Sequence, residues 1–313
     1  MKGKILIVDD LHPAFKNGAT ALGYQVDDLP NITRAETLAS IAGYEGIAVR
    51  TKFKIDRELM DAAPGLKFIA RAGAGLDNID EAYAKERNIQ LMNAPEGNRD
   101  AVGEHAVGML LSLMNNHRKA DIEIRNGIWD REGNRGWELK GRTVGIIGYG
   151  FMGSSFAKKL AGFDVKVIAY DKYKTGFSDA YATECSMEEI VKYSDVLSLH
   201  IPLTKETRQL VDEEYLRHFR KEIFFLNTAR GEIVNTKAIL EALQTGKILG
   251  AGLDVLEAEK FPNLAEQSWY NELKVSQKVI LTPHVGGWTF ESYRKISEVL
   301  TEKLERWSSQ GLL

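Results

Sequence analysis

The sequence predicts an α/β protein built on two doubly wound, mostly parallel sheets. Short apolar, β-rich runs alternate with helical patterns along nearly all of its 313 residues, as in chains that lay helices over parallel strands. Several runs are apolar at consecutive positions, the signature of strands covered on both faces. Nine such runs exceed what a single sheet of ordinary width holds, and the length suits two domains.

In chain order, the first run is 5–8, which ends at Asp9 and Asp10 and is too short and too early for a secretory leader. Runs 47–49 and 68–70 follow. The segment 101–114 is the most apolar helix, with Val102, Ala106, Met109, Leu110 and Leu113 covering more than one face, so burial between domains or subunits is expected. Run 144–147 leads into a glycine-rich turn and a helix over 154–160. Runs 165–170, 196–200, 223–227, 249–253 and 279–281 complete the strands, and a helix over 290–307 closes the chain.

Bulk properties narrow the function. With 44% apolar and 27% charged residues, the chain has globular and not disordered composition. A net charge of −3 gives no electrostatic footprint for nucleic acid or an anionic membrane. No stretch reaches the roughly 20 apolar residues of a membrane helix, so a cytoplasmic location is expected. The single cysteine, Cys185, cannot form an intrachain disulfide. It stands in a polar stretch with no base beside it and reads as an unreactive thiol. No pair of histidines or acids has ligand spacing on one element, so no metal is expected.

The strongest local motif is VGIIGYGFMG at 144–153. A strand runs into Gly148, Gly150 and Gly153 and then a helix, the context that gives this pattern meaning. Gly148 allows the tight turn, Gly150 lets backbone approach a pyrophosphate, and Gly153 lets helix and strand pack closely. The helix start offers N–H groups and a positive dipole end. Asp171 closes the next strand, where a carboxylate accepts both ribose hydroxyls and repels a 2′-phosphate. NAD is therefore expected over NADP, although Lys172 and Lys174 lie close by.

Three downstream residues suit redox chemistry at a hydroxyl-bearing carbon. Arg230 follows an apolar strand and precedes Gly231, and its planar fork matches a carboxylate. His284 follows run 279–281 and precedes Gly286 and Gly287; of six histidines it is the best placed for general acid/base work. His12, His117 and His218 read as surface residues, His105 as part of the apolar helix, and His200 as a strand end lining the cofactor crevice. A carboxylate that orients His284 is supplied by Glu257 or Glu259, which spacing alone does not separate.

These residues belong to an ordered set: RAGAGLDNID (71–80), MNAPEGN (92–98), the glycine loop, NTARGEIV (227–234), GLDV (252–255) and TPHVGG (282–287). On them the whole chain resembles the D-isomer-specific 2-hydroxyacid dehydrogenases, and within that family the phosphoglycerate dehydrogenase subgroup of serine biosynthesis. The resemblance implies a Rossmann NAD-binding domain, 98–285, inserted into a flavodoxin-like substrate domain of 1–97 and 286–313, and a homodimer built on the cofactor domains. It implies that Arg230, Glu259 and His284 are catalytic. Phe151, Met152, Asp171, Ile201, Thr228, Ala229, Arg230, Asp254, His284, Gly286 and Gly287 would join the three glycines in binding NAD. A D-2-hydroxy acid would be interconverted with its 2-oxo acid, its carboxylate held by the Ala74 and Gly75 amides and Arg230. A phosphate would be held by Arg50, Lys54, Arg71 and Arg131, with Lys52 a surface charge. Glyoxylate and hydroxypyruvate are the alternative substrates, and an NAD-sensing scaffold is the alternative from another class. Two departures stand out. Lys260 replaces the proline that usually follows the glutamate, with a divergent 261–277 after it, and with the closing helix so near the end of the sequence the regulatory domain of longer relatives is not expected.

Overall fold

A computed structural model describes residues 2–310. The chain forms two compact units, 1–99 with 288–313, and 100–287. It passes from the first to the second inside helix Pro95–Met114.

The first unit holds five parallel strands: β1 (Lys4–Ile7), β2 (Gln25–Asp28), β3 (Gly46–Val49), β4 (Phe68–Arg71) and β5 (Gln90–Asn93), in the order β2-β1-β3-β4-β5. Side chains alternate across this sheet. Ile5, Ile7, Phe68, Ala70 and Met92 face one core with Ile296, Leu300 and Leu304 of helix Phe290–Gln310. Leu6, Val8, Ile47, Val49 and Ile69 face the other with Leu59 and Met60. Both faces are covered, which is why the runs read as continuously apolar. Local signals agree with the helices: Thr33 and Glu36 close a capping box on helix Arg34–Ser40, and Asp56 and Asp80 cap the next two.

The second unit holds β6 (Thr143–Ile147), β7 (Lys166–Tyr170), β8 (Thr183–Glu184), β9 (Val196–Leu199), β10 (Ile223–Asn227), β11 (Ile248–Leu253) and β12 (Val279–Leu281), in the order β12-β11-β10-β9-β6-β7-β8. Every pairing recorded in both sheets is parallel. Ile147, Ile168, Leu197, Leu199 and Phe225 fill one core; Val144, Ile146, Val167, Phe224 and Leu226 fill the other. Both strand orders reverse once, at β1/β3 and at β6/β9, and ligands of open α/β sheets bind at the carboxyl ends of strands at such switch points.

Three details differ from the sequence reading. Strands β2, β5 and β8 were not expected. Helix Pro95–Met114 begins six residues before 101, and Met109, Leu110 and Leu113 pack into the second unit's own core. The helix after the glycine turn is Phe151–Lys159, so the backbone turns helical directly after Gly150. No helix among the described residues is long and apolar enough to cross a membrane.

Candidate active site

The glycine turn stands at the carboxyl end of β6. Gly148 has φ +91°, and a Cβ there would meet the His200 carbonyl at 2.4 Å, so only glycine fits. A Cβ at Gly153 would lie 2.1 Å from the Gly148 carbonyl oxygen. At Gly150 nothing stands within 4 Å of that position, and no side chain caps the helix it opens. Backbone and space for an anion therefore coincide at the helix start. At the end of β10 the buried Thr228 Oγ1 has no protein partner, a second group ready for a ligand. These features fit a dinucleotide.

Asp171 ends β7 with its carboxylate fixed: Oδ2 accepts from Tyr149 N at 2.9 Å and Oδ1 from Tyr173 N at 3.0 Å. Each oxygen keeps a lone pair for a ribose hydroxyl. The two lysines that could tolerate a 2′-phosphate are engaged, Lys172 with Glu206 at 2.5 Å and Lys174 with the Tyr149 carbonyl at 3.0 Å. Ile201 follows β9, half-buried, beside the half-buried His200, whose pKa burial lowers to about 3. Its ring stays neutral, with Nε2 2.9 Å from Ser198 Oγ.

Arg230, Glu259 and His284 follow β10, β11 and β12, three neighbouring strands. His284 Nδ1 and Glu259 Oε2 are 2.9 Å apart. A carboxylate can only accept there, so Nδ1 carries the proton and Nε2 is left as the basic nitrogen. Glu257 is committed elsewhere, accepting from Gln209 Nε2 and Thr236 N at 2.8 Å each. Of the two carboxylates that spacing left open, Glu259 is the one in contact with His284. Lys260 takes φ +78° after Glu259, and the divergent segment beyond is anchored by Trp269 and Leu273, which are buried in the core. Arg230 stands on a turn braced by the fully buried Asn227, whose Oδ1 accepts from Ala229 N at 3.0 Å and whose Nδ2 donates to the Arg230 carbonyl at 2.9 Å. Gly231 follows because a Cβ would collide with Leu256 backbone at 2.0 Å.

The loop carrying His284 is tied to Asp254, only 2% exposed. Its Oδ1 accepts from Thr282 Oγ1 at 2.5 Å and Val285 N at 2.9 Å, and its Oδ2 from Gly286 N at 2.8 Å. Burial pushes this carboxyl upward, but hydrogen bonds from His105, Thr282 and the two amides outweigh it and hold the pKa at about 2. His105 Nε2 lies 3.1 Å from Thr282 Oγ1; the hydroxyl hydrogen is given to Asp254, so the imidazole donates. His284 itself takes φ +56°, a strained conformation for a non-glycine residue. Reading the sequence missed Asn227, Thr282 and His105 as supports, because they are far apart in the chain and carry no local motif. Cys185 is half-buried, and burial beside Glu189 pushes its thiol up to about 12, away from nucleophilic chemistry.

The expected substrate groups divide between the units. Arg50, Lys54, Arg71, Ala74 and Gly75 lie in the first, at or after the carboxyl ends of β3 and β4. Asp9 Oδ2 gathers the amides of Arg50, Thr51 and Lys52 at 3.0, 2.7 and 2.8 Å, which fixes that loop. Lys54 is exposed. Arg131 lies in the second unit, on an exposed stretch.

Residues 107–286 match the family model described as D-isomer specific 2-hydroxyacid dehydrogenase, NAD binding domain. The chain belongs to this family. Among its relatives, a glyoxylate reductase of Thermofilum pendens is 37% identical over 87% of this chain and 80% of its own length. A hydroxypyruvate reductase of Thermotoga maritima is 34% identical over 88% of each. A D-3-phosphoglycerate dehydrogenase of Methanocaldococcus jannaschii is 33% identical over 97% of this chain, which spans 57% of that protein. A D-lactate dehydrogenase of Aquifex aeolicus, solved with NAD and lactic acid, superposes with a TM-score of 0.82 at 28% identity, over 99% of this chain and 96% of that one. The present chain is an NAD-dependent D-2-hydroxyacid dehydrogenase acting on a small 2-hydroxy or 2-oxo acid.

Proposed function

We propose that this dehydrogenase interconverts a three-carbon D-2-hydroxy acid bearing an anionic group on C3 with its 2-oxo acid, 3-phosphoglycerate and 3-phosphohydroxypyruvate being the pair that fits. The contact that carries the chemistry is His284 Nδ1 to Glu259 Oε2 at 2.9 Å. With Nδ1 protonated toward Glu259, Nε2 takes the C2 hydroxyl proton in oxidation and returns it in reduction. Glu259 fixes the ring and stabilises the imidazolium. Arg230 holds the carboxylate and also polarises the carbonyl. The glycine turn, Asp171 and the turn at 228–230 would hold NAD, which would supply the hydride chemistry at C2.

The C3 anion is supported by Arg50, whose guanidinium makes no hydrogen bond or ion pair among the described residues, with Lys54 on the same loop and Arg71 on the next strand. A second reading, hydroxypyruvate or glyoxylate, is favoured by Asp10, an exposed carboxylate on the same rim that opposes a dianion. Rates of NADH oxidation with 3-phosphohydroxypyruvate, hydroxypyruvate and glyoxylate, side by side, separate the two. A kcat/KM highest for the phosphorylated acid is expected, and equal or lower values for it would overturn the assignment.

The enzyme works as a homodimer of cofactor units. Ile122, Ile124, Ile128, Trp129 and Trp137 stand exposed along one short stretch, more apolar surface than a solvated arm needs. Sedimentation at micromolar concentration tests this, and a monomer would refute it.

A further inference from the structure

Arg50 follows β3 at the switch point of the first sheet, with its backbone held by Asp9. Its guanidinium carbon lies 3.8 Å over the ring of Trp288. That is van der Waals contact, which a guanidinium reaches by lying flat on the ring. No hydrogen bond or ion pair is recorded for its N–H groups among the described residues. Trp288 meets Tyr293 edge-on at 5.2 Å, and Tyr293 in turn meets His12 at 5.3 Å. The Tyr293 hydroxyl donates to Asp10 Oδ1 at 2.8 Å. The aromatic plate is thus braced from the end of β1. Beneath it Asp10, His12, Arg50, Trp288 and Tyr293 line a cavity of about 10 Å³, no more than one water, so the guanidinium has no room to fold inward.

Coulomb attraction alone would draw Arg50 onto Asp10, yet the structure records no such pair. An exposed ion pair and an exposed cation–π stack are of similar strength, and here the stack prevails while Tyr293 satisfies the carboxylate. We propose that Trp288 is a specificity-determining residue: it holds Arg50 off Asp10 and keeps its fork presented to an anionic C3 substituent of the substrate. This rests on the substrate reading above and assigns it a positioning residue on the chain's return into the first unit. Without the indole, Arg50 collapses onto Asp10 and the preference for an anion weakens, while chemistry at C2 is spared.

The test is kcat and KM of the full-length enzyme and of Trp288→Ala and Trp288→Phe, with 3-phosphohydroxypyruvate and with hydroxypyruvate. In Trp288→Ala the KM for the phosphorylated acid rises about 5- to 30-fold, the KM for hydroxypyruvate moves much less, and kcat for both stays within about threefold. Trp288→Phe keeps an aromatic face and recovers most of the preference, which a loss of folding would not allow. A wild-type preference for phosphate that survives Trp288→Ala overturns the clamp alone, as does an equal loss on both substrates. A wild-type enzyme indifferent to phosphate overturns the substrate reading and the clamp with it.

Discussion

At the end of β1, Asp9 Oδ2 accepts three consecutive backbone N–H groups; at the end of β11, Asp254 spreads the Thr282 hydroxyl and two amides over both its oxygens. Each carboxylate gathers a loop that a neighbouring strand cannot hold. Their surroundings differ. Asp9 is half-buried on a rim, its pKa lowered because the four amides of Thr51, Lys52, Asp10 and Arg50 outweigh burial. Asp254 is sealed at 2% exposure and braced again by His105. The loop on Asp254 carries His284, for which proton transfer is proposed, and for that role a displacement of about 1 Å would cost about 100-fold in rate. The loop on Asp9 carries Arg50, proposed to hold a charge whose attraction would decay slowly with distance. Tight burial therefore accompanies the loop with the stricter geometric demand.

The largest effect expected is His284→Asn, which lowers kcat by about 10²–10⁴-fold while NADH affinity, read by fluorescence titration, changes little. Near-normal turnover would take the proton-transfer role away from His284. Next comes Asp254→Asn. It sets an amide donor against either the Gly286 N–H or the Val285 N–H and Thr282 hydroxyl inside a dry site, so about 1–3 kcal/mol of stability is lost. Turnover drops about 10- to 100-fold because the His284 loop is released. A variant that is destabilised but turns over normally would separate the anchor from the chemistry and break the comparison.

The sequence was legible where burial was symmetrical. All strands covered on both faces showed continuous apolar runs. The three that escaped, β2 (QVDD), β5 (QLMN) and β8 (TE), all lie at sheet edges, where one side of the strand meets solvent and polar residues are tolerated. Arg230 and His284 stood out because each follows an apolar strand and precedes glycine. Glu259 could not be told from Glu257 locally, since the distinction is made by Gln209 and Thr236, whose contacts no spacing encodes. The Asp254, Thr282 and His105 set and the Arg50 and Trp288 stack are likewise assembled only by the fold.

Asp9→Asn is expected to be milder than its counterpart, about 1–2 kcal/mol in stability and about 3- to 10-fold in KM for the phosphorylated acid, with kcat nearly kept. An effect on kcat as large as that of Asp254→Asn would show that the 50–52 loop demands the same precision.

A last comparison separates the groups by pH. Asp9 and Asp254 have folded pKa values below their ordinary 3.8, so their stabilisation is present above pH 3.8 and is lost as pH falls toward about 2. His200 acts in a different window. It stays neutral in the folded state down to about pH 3, whereas the unfolded chain binds a proton below the ordinary histidine pKa of 6.5. Stability therefore declines as pH drops from 6.5 toward 3, by up to about 2 kcal/mol between pH 7 and 5. Urea midpoints at pH 7, 6 and 5 read this slope, and His200→Asn flattens it without touching the steeper loss below pH 4. Because His200 belongs to the second unit, a probe in that unit such as Trp269 fluorescence follows the early decline. An unchanged slope in His200→Asn would mean that other groups titrate between pH 7 and 5, and the acid sensitivity of the cofactor sheet could no longer be assigned to a neutral ring beside its glycine turn.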